Sequence, residues 1–200
     1  MALDQEIAGP DIAMNKPLIG IDMDGVICSP PFGLNIPIAP GPYAGRPSPS
    51  KRAAAHSGIR VTAMKLLLRL KYYGRKPLRE ARAGMESISE HRTPVLVTSR
   101  NGLGAGLIER WLSVHGLSGF FREVHSNSLG LPSPEFKWRM CSELGIDEFV
   151  DDDGRVADLL SRNGLSRVFL RDWPRNRGYE YGGNVVRVGH LGEVARHLTP

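Results

Sequence analysis

Two hundred residues, 41% hydrophobic and 24% charged, fit one globular domain, or one with a modest insertion, and exclude a wholly disordered chain. No run of about 18 apolar residues is present to span a bilayer. The only cysteines, Cys28 and Cys141, are too few for a disulfide framework, and no Cys/His cluster has zinc spacing, so a reducing compartment, the cytoplasm, is expected. The formal net charge is +5, and it is unevenly placed. From Arg46 to Arg82 the chain carries eleven Lys and Arg against one acid, Glu80. Such a local excess attracts anionic partners, although many charge runs are only solvated faces.

Residues 1–16 read as a loose leader without the basic start and apolar centre of a signal peptide. Leu18–Ile21 is a short apolar run of the kind that forms a buried strand. Seven prolines between Ser29 and Ser50 predict irregular or extended chain. Residues 59–73 mix apolar and basic positions and read as a helix ended by Gly74 and Pro77. A second helix is expected over 78–91. From there short apolar runs and helical stripes alternate: strand 95–97, helix 107–115, strand 123–125, helix 134–144, strand 148–150, helix 155–163, strands 168–170 and 185–188, and a closing helix 191–198. This alternation predicts an α/β architecture, a parallel sheet with helices on both faces. Chemistry in such sheets lies beyond the carboxyl ends of the strands.

Asp22-Met23-Asp24-Gly25 follows the first strand. Residues i and i+2 share a strand face, so Asp22 and Asp24 enter one site if the extended geometry persists. Two adjacent carboxylates repel, and a cation or a shared proton relieves them. Gly25 permits a sharp turn and close approach of a ligand. The simpler alternative is a strand-end turn, where Asp and Gly are common. Thr98, Ser99 and Arg100 follow the second strand, where hydroxyls and N–H groups either hold a phosphate oxygen or cap a helix. Lys137 lies on the helix before the fourth apolar strand, and on its own is no more than a solvated lysine. Asp151, Asp152 and Asp153 follow that strand; a cap uses one acid, and three together point to a cation site. Gly102, Gly104 and Gly106 imitate a dinucleotide-binding turn, but the spacing is G-x-G-x-G and no acid ends the next strand to hold a ribose. Trp138, Trp173, Tyr179 and Tyr181 are candidates to stack a base, though aromatics at such places more often pack.

Taken in order, LIGIDMDGV, VLVTSR, Lys137 and FVDDD resemble the haloacid dehalogenase (HAD) superfamily of phosphatases. The tail Asp172-Trp173-Pro174-Arg175-Asn176 resembles, more weakly, the 5′(3′)-deoxyribonucleotidase branch. The resemblance implies a Rossmann-like three-layer core with a parallel sheet, made by residues 17–28 and 78–200, with a small cap inserted at 29–77. It implies Asp22 as a nucleophile that forms an aspartyl-phosphate, and Asp24 as the acid that protonates the leaving oxygen and then takes a proton from water. It implies that Thr98, helped by Ser99, holds the phosphoryl oxygens and that Lys137 neutralises charge. Mg²⁺ would be held by Asp22, the Asp24 carbonyl and Asp152, with Asp151, Gly25 and Arg100 in support. The third acid leaves the pair open between 151/152 and 152/153. The expected activity is Mg²⁺-dependent hydrolysis of a phosphomonoester, a nucleotide or another small anionic ester. The alternatives are an anion-binding module that meets nucleic acid or a membrane surface through residues 46–82, and a phosphotransferase on the same core.

Overall fold

The computed structural model describes residues 16–29, 75–101 and 105–198. The leader up to residue 15, nearly all of the expected cap with its helix at 59–73, and Gly102 and Gly104 lie outside the described residues.

Six strands carry the fold: β1 (Leu18–Ile21), β2 (Thr93–Asn101), β3 (Val124–Asn127), β4 (Glu148–Asp151), β5 (Arg167–Arg171) and β6 (Val185–Val188). They form one parallel sheet in the order β3-β2-β1-β4-β5-β6. Between them lie α1 (Ala81–Ser89), α2 (Ala105–Val114), α3 (Ser133–Leu144), α4 (Gly154–Arg162) and the short α5 (Leu191–Val194).

Strand periodicity sends alternate residues to opposite faces, and each face has its own helical cover. Ile19, Ile21, Leu96 and Phe169 pack with α1, α2 and α5 through Met85, Ile88, Ile108, Trp111, Leu112 and Leu191. Val95, Val97, Phe149 and Val168 pack with α3 and α4 through Phe136, Val156 and Leu160. Strands buried on both sides read as continuous apolar runs, which is why such short segments were recognisable. Gly20 pairs in register with Phe149, and a Cβ at Gly20 would overlap that ring; the central strand needs glycine there for the phenyl group to lie across it.

The α/β expectation therefore holds, as a Rossmann-like arrangement of three layers. Most boundaries shift by one to three residues, and two elements differ more. β2 runs on to Asn101, because β3 pairs with it beyond the apolar stretch, across an irregularity between Thr98 and Asn101. The closing helix is only Leu191–Val194, continued by a tighter 3₁₀ turn, Ala195–His197. No helix among the described residues is long and apolar enough to cross a membrane.

The sheet order decides where chemistry can sit. The chain winds outward from β1 through β2 to β3, then returns to place β4 on the other side of β1. The carboxyl ends of β1 and β4 thus flank the topological switch point, where a crevice opens in such sheets. The described chain leaves this region at Ser29 and re-enters it nearby at Arg75. Ser29 N–H donates to Lys76 O (2.9 Å) and Leu78 N–H to Ile27 O (2.9 Å), with Cys28 and Pro77 bridging antiparallel.

Candidate active site

The β1–β4 register pairs Gly20 with Phe149 and Ile21 with Val150. One step further, Asp22 N–H donates to Val150 O (3.0 Å), which brings Asp22 beside Asp151 on the face that Phe149 shares with α3. From α3, Phe136, Lys137 and Cys141 form the buried stripe. A lysine on such a stripe is tolerated when it is paired. Lys137, 2% exposed, places Nζ 2.9 Å from Asp22 Oδ1 and 2.7 Å from Asp151 Oδ2.

The three successive acids have separate tasks. Asp151 accepts three hydrogen bonds: Oδ2 takes Lys137, and Oδ1 accepts the N–H groups of Asp152 (2.8 Å) and Asp153 (2.9 Å). Asp153 is the N-cap of α4, with Oδ1 accepting Arg155 N–H at 2.9 Å. Asp152 turns back toward β1, and its Oδ2 receives Arg175 Nη2 at 2.5 Å. Asp22, Asp151 and Asp152 each offer a carboxylate oxygen within 4.8 Å of the others. Among the described residues, these three carboxylates are the only group of potential metal ligands that lie so close together. Gly25 makes room for them. Its φ is +78°, a left-handed conformation that suits glycine, and a Cβ there would overlap the Asp152 carboxylate.

The residues present fit a hard divalent cation. Three buried carboxylates clustered at adjacent strand ends are the donor type that Mg²⁺ prefers, and among the described residues their ion pairs are with Lys137 and Arg175. Burial pushes the Asp22 carboxyl up to about 7, with Asp151 and Asp24 adding to the effect and Lys137 opposing it. Burial likewise raises Asp152 well above the carboxylate range against the pull of Arg175, and raises Asp151 in spite of Lys137. Burial would depress the Lys137 ammonium, but Asp151 and Asp22 outweigh it and hold it above its ordinary value. A cation among these acids would lower them all.

Asp24 stands apart from this trio. β1 ends at Ile21, the extended geometry does not persist, and Asp24 meets two guanidinium groups instead. Arg100 grips it with Nε (2.9 Å) and Nη2 (2.5 Å), and Arg75 Nη1 pairs with the same carboxylate. Burial would raise Asp24, but the hydrogen bonds and charge of Arg100, with the charge of Arg75, hold it below the usual range. Its side chain is still 37% exposed, so solvent and small molecules can reach it. Arg75 was counted in the basic run as a possible solvated cation. It is buried; its side chain is held by Ser29 O, which accepts from Nε (2.8 Å), and its backbone by Trp111 Nε1, which donates to Arg75 O (2.8 Å). Lys76, Arg79 and Arg82 are exposed; the remaining basic residues of that run lie outside the described residues.

Thr98 is buried near the end of β2, one strand from Asp22, and its hydroxyl accepts Arg100 N–H at 3.4 Å. The Ser99 hydroxyl meets that of Ser133 (2.5 Å) at the first residue of the helix that carries Lys137. Sequence reasoning missed Arg75 and gave Arg175 no role. Arg175 lay within the quoted Asp172–Asn176 run, and that run proves to be a wall of the site. Asn176 Nδ2 donates to Asp152 O and Arg171 O (both 2.9 Å), and Trp173 Nε1 donates to Gly25 O (3.2 Å).

Solved structures share this fold. The fold is that of the haloacid dehalogenase-like hydrolases. A HAD-like family hydrolase from Streptococcus pneumoniae superposes with a TM-score of 0.60 at 14% identity, over 92% of this chain and 99% of that one. A Haemophilus somnus protein described as a phosphoglycolate phosphatase gives 0.57 at 16%, over 92% and 98%. A Thermotoga maritima protein described as a β-phosphoglucomutase gives 0.56 at 14%, over 91% and 98%. By sequence, no family model and no curated protein matches the chain.

Proposed function

We propose that the protein is a Mg²⁺-dependent phosphomonoesterase that works through an aspartyl-phosphate on Asp22. The observation that carries this reading is the convergence, at the switch point of a HAD-like sheet, of the carboxylates of Asp22, Asp151 and Asp152 beside buried Lys137. Phosphoryl transfer calls mainly for placement and charge neutralisation, and a carboxylate nucleophile divides hydrolysis into two easier steps.

Asp22 and Asp152 would hold the ion, together with the Asp24 carbonyl, while Asp151 orients Lys137 and the following loop. When bound, the ion keeps Asp22 ionised and neutralises charge on the phosphoryl oxygens. Lys137 neutralises the other side of Asp22. Thr98, with Ser99 beside it, is assigned to the phosphoryl oxygens. Asp24, held as a carboxylate by Arg75 and Arg100, is in the form that takes a proton from the water attacking the aspartyl-phosphate. Donating to the leaving oxygen requires the same group to be protonated first, against both guanidinium groups. Nucleotides are the leading substrate class, supported by the resemblance of Asp172–Asn176 to nucleotidases and by the position of that run against Asp152 and Gly25; sugar phosphates come next.

Asp22→Asn should abolish Mg²⁺-dependent phosphate release from p-nitrophenyl phosphate while the circular dichroism spectrum stays that of the parent. Undiminished turnover in this variant refutes the nucleophile assignment.

A further inference from the structure

We propose that Trp173 is the platform on which a planar ring of the substrate's leaving group stacks, so that the preferred esters are nucleoside monophosphates. This rests on the phosphomonoesterase reading and adds the residue that selects among esters.

The three tryptophans are used differently. Trp111 belongs to one apolar cluster and Trp138 packs against the other. Trp173 belongs to neither and is half-buried, so core packing does not explain it. Its position is nonetheless fixed from several sides. The indole N–H is tied to Gly25 O in the loop of Asp22 and Asp24. Its neighbours hold Asp152: Arg175 through the carboxylate, Asn176 through the carbonyl. Asn176 is fully buried and also bonds Arg171 O.

Arg171 supplies the second observation. It is 4% exposed, yet its Nε and Nη1 find no hydrogen-bond acceptor, and only Nη2 is engaged, with Glu80 at 3.0 Å. Its guanidinium carbon lies 5.6 Å from the centre of the Trp173 ring. A buried cation directed at an indole is a cation–π pair. It holds the ring in place while the indole stays partly exposed to solvent. An aromatic ring held in advance binds without the entropy of being ordered, and base–aromatic stacking tolerates any base because each has a π face.

The test is binding and turnover of adenosine 5′-monophosphate, phenyl phosphate and glycerol phosphate by the parent protein, Trp173→Leu and Trp173→Phe. Binding is measured by titration calorimetry, and turnover as kcat/KM with Mg²⁺. The parent should bind the nucleotide more tightly than glycerol phosphate. Trp173→Leu should weaken the nucleotide about 10- to 100-fold, mainly in KM, and at least ten times more than it affects glycerol phosphate. Trp173→Phe should keep most of the preference. Phenyl phosphate separates the sources: a parallel loss means that any ring suffices, and a smaller loss means that the base is read. Equal losses for all three esters, as from a mere staple to Gly25, overturn the proposal, and so does a parent that binds nucleotide and glycerol phosphate equally. A parent that turns over none of the three overturns the phosphomonoesterase reading instead, and the binding comparison still decides the platform.

Discussion

Replacing Lys137 by Met tests the electrostatic frame on which the site depends. Methionine keeps most of the stem volume and removes the charge. Asp22 and Asp151 lose ion pairs of 2.9 and 2.7 Å, with Asp152 close by. Breaking a buried pair by removing one partner costs about 3–5 kcal/mol. Part of that is avoided by proton uptake: the Asp22 carboxyl already sits at about 7 with Lys137 present, and it rises further without it. The lower end, about 3 kcal/mol, is therefore expected at pH 7. For a chain of this size that lowers Tm by roughly 6–12 °C. Both carboxyls have folded pKa values above the unfolded value of 3.8. The native state then binds the extra proton, so the deficit should shrink as pH falls from 7 toward 4. Mg²⁺ at 100 times its Kd should return about 2.7 kcal/mol if it binds only the folded state. The assay is thermal unfolding by circular dichroism at pH 5 and 7, in EDTA and in Mg²⁺. A metal-free variant that melts within about 1 °C of the parent at pH 7, or shows the same deficit at both pH values, refutes the reasoning.

Three other outcomes are expected. Gly25→Ala meets both the positive φ and the Asp152 carboxylate; strain of about 1–3 kcal/mol should lower Tm, and calorimetry should show Mg²⁺ affinity down about 10-fold or more. Asp153→Ala removes the cap of α4, about 1 kcal/mol. Burial would raise Asp153, but Arg155 outweighs it and holds it below 3.8, so this stabilisation is present above pH 4 and fades as pH falls through the lower folded value. Urea melts at pH 7 and pH 3 read the difference, and loss of phosphate release in this variant would favour 152/153 as the metal pair. Arg92→Met breaks a buried pair with Glu148 (2.6 Å) at the amino-terminal end of the sheet; a loss of about 3–5 kcal/mol should appear in urea melts with kcat for p-nitrophenyl phosphate unaltered.

The strands were legible where both faces are covered, as at Leu18–Ile21, because burial on two sides leaves no polar alternation to confuse the run. The polar end of β2, Thr98–Asn101, was not. Those residues are extended because β3 pairs with them, and pairing between distant segments leaves no local pattern. Strand-end acids stood out at 22, 24 and 151–153. Which of the three successive acids faces β1 depends on where α4 begins: with Asp153 as its cap, Asp151 is drawn under the loop amides and Asp152 is left to turn back. Arg75 was hidden for a different reason. Within a run of eleven cations one that folds inward looks like the others, and only the contact with Asp24 distinguishes it.

The charges divide into two groups of opposite sign. Asp22, Asp151 and Asp152 are met by Lys137 and Arg175, an excess of one negative charge in formal terms. Asp24 is met by Arg75 and Arg100, an excess of one positive charge. Asp22 belongs to the first group and feels Asp24 in the second, so its carboxylate lies at their border. A divalent cation suits the first group and an anionic phosphoryl group suits the second, and a ligand that brings both together would leave neither excess buried. Charged groups with unequal partners lose stability in a low-dielectric interior. Under the proposed function, this imbalance is the cost of a site that takes a metal ion and a phosphoryl group together. It also accounts for Lys137 lying on a helix stripe where an apolar residue would pack at lower cost.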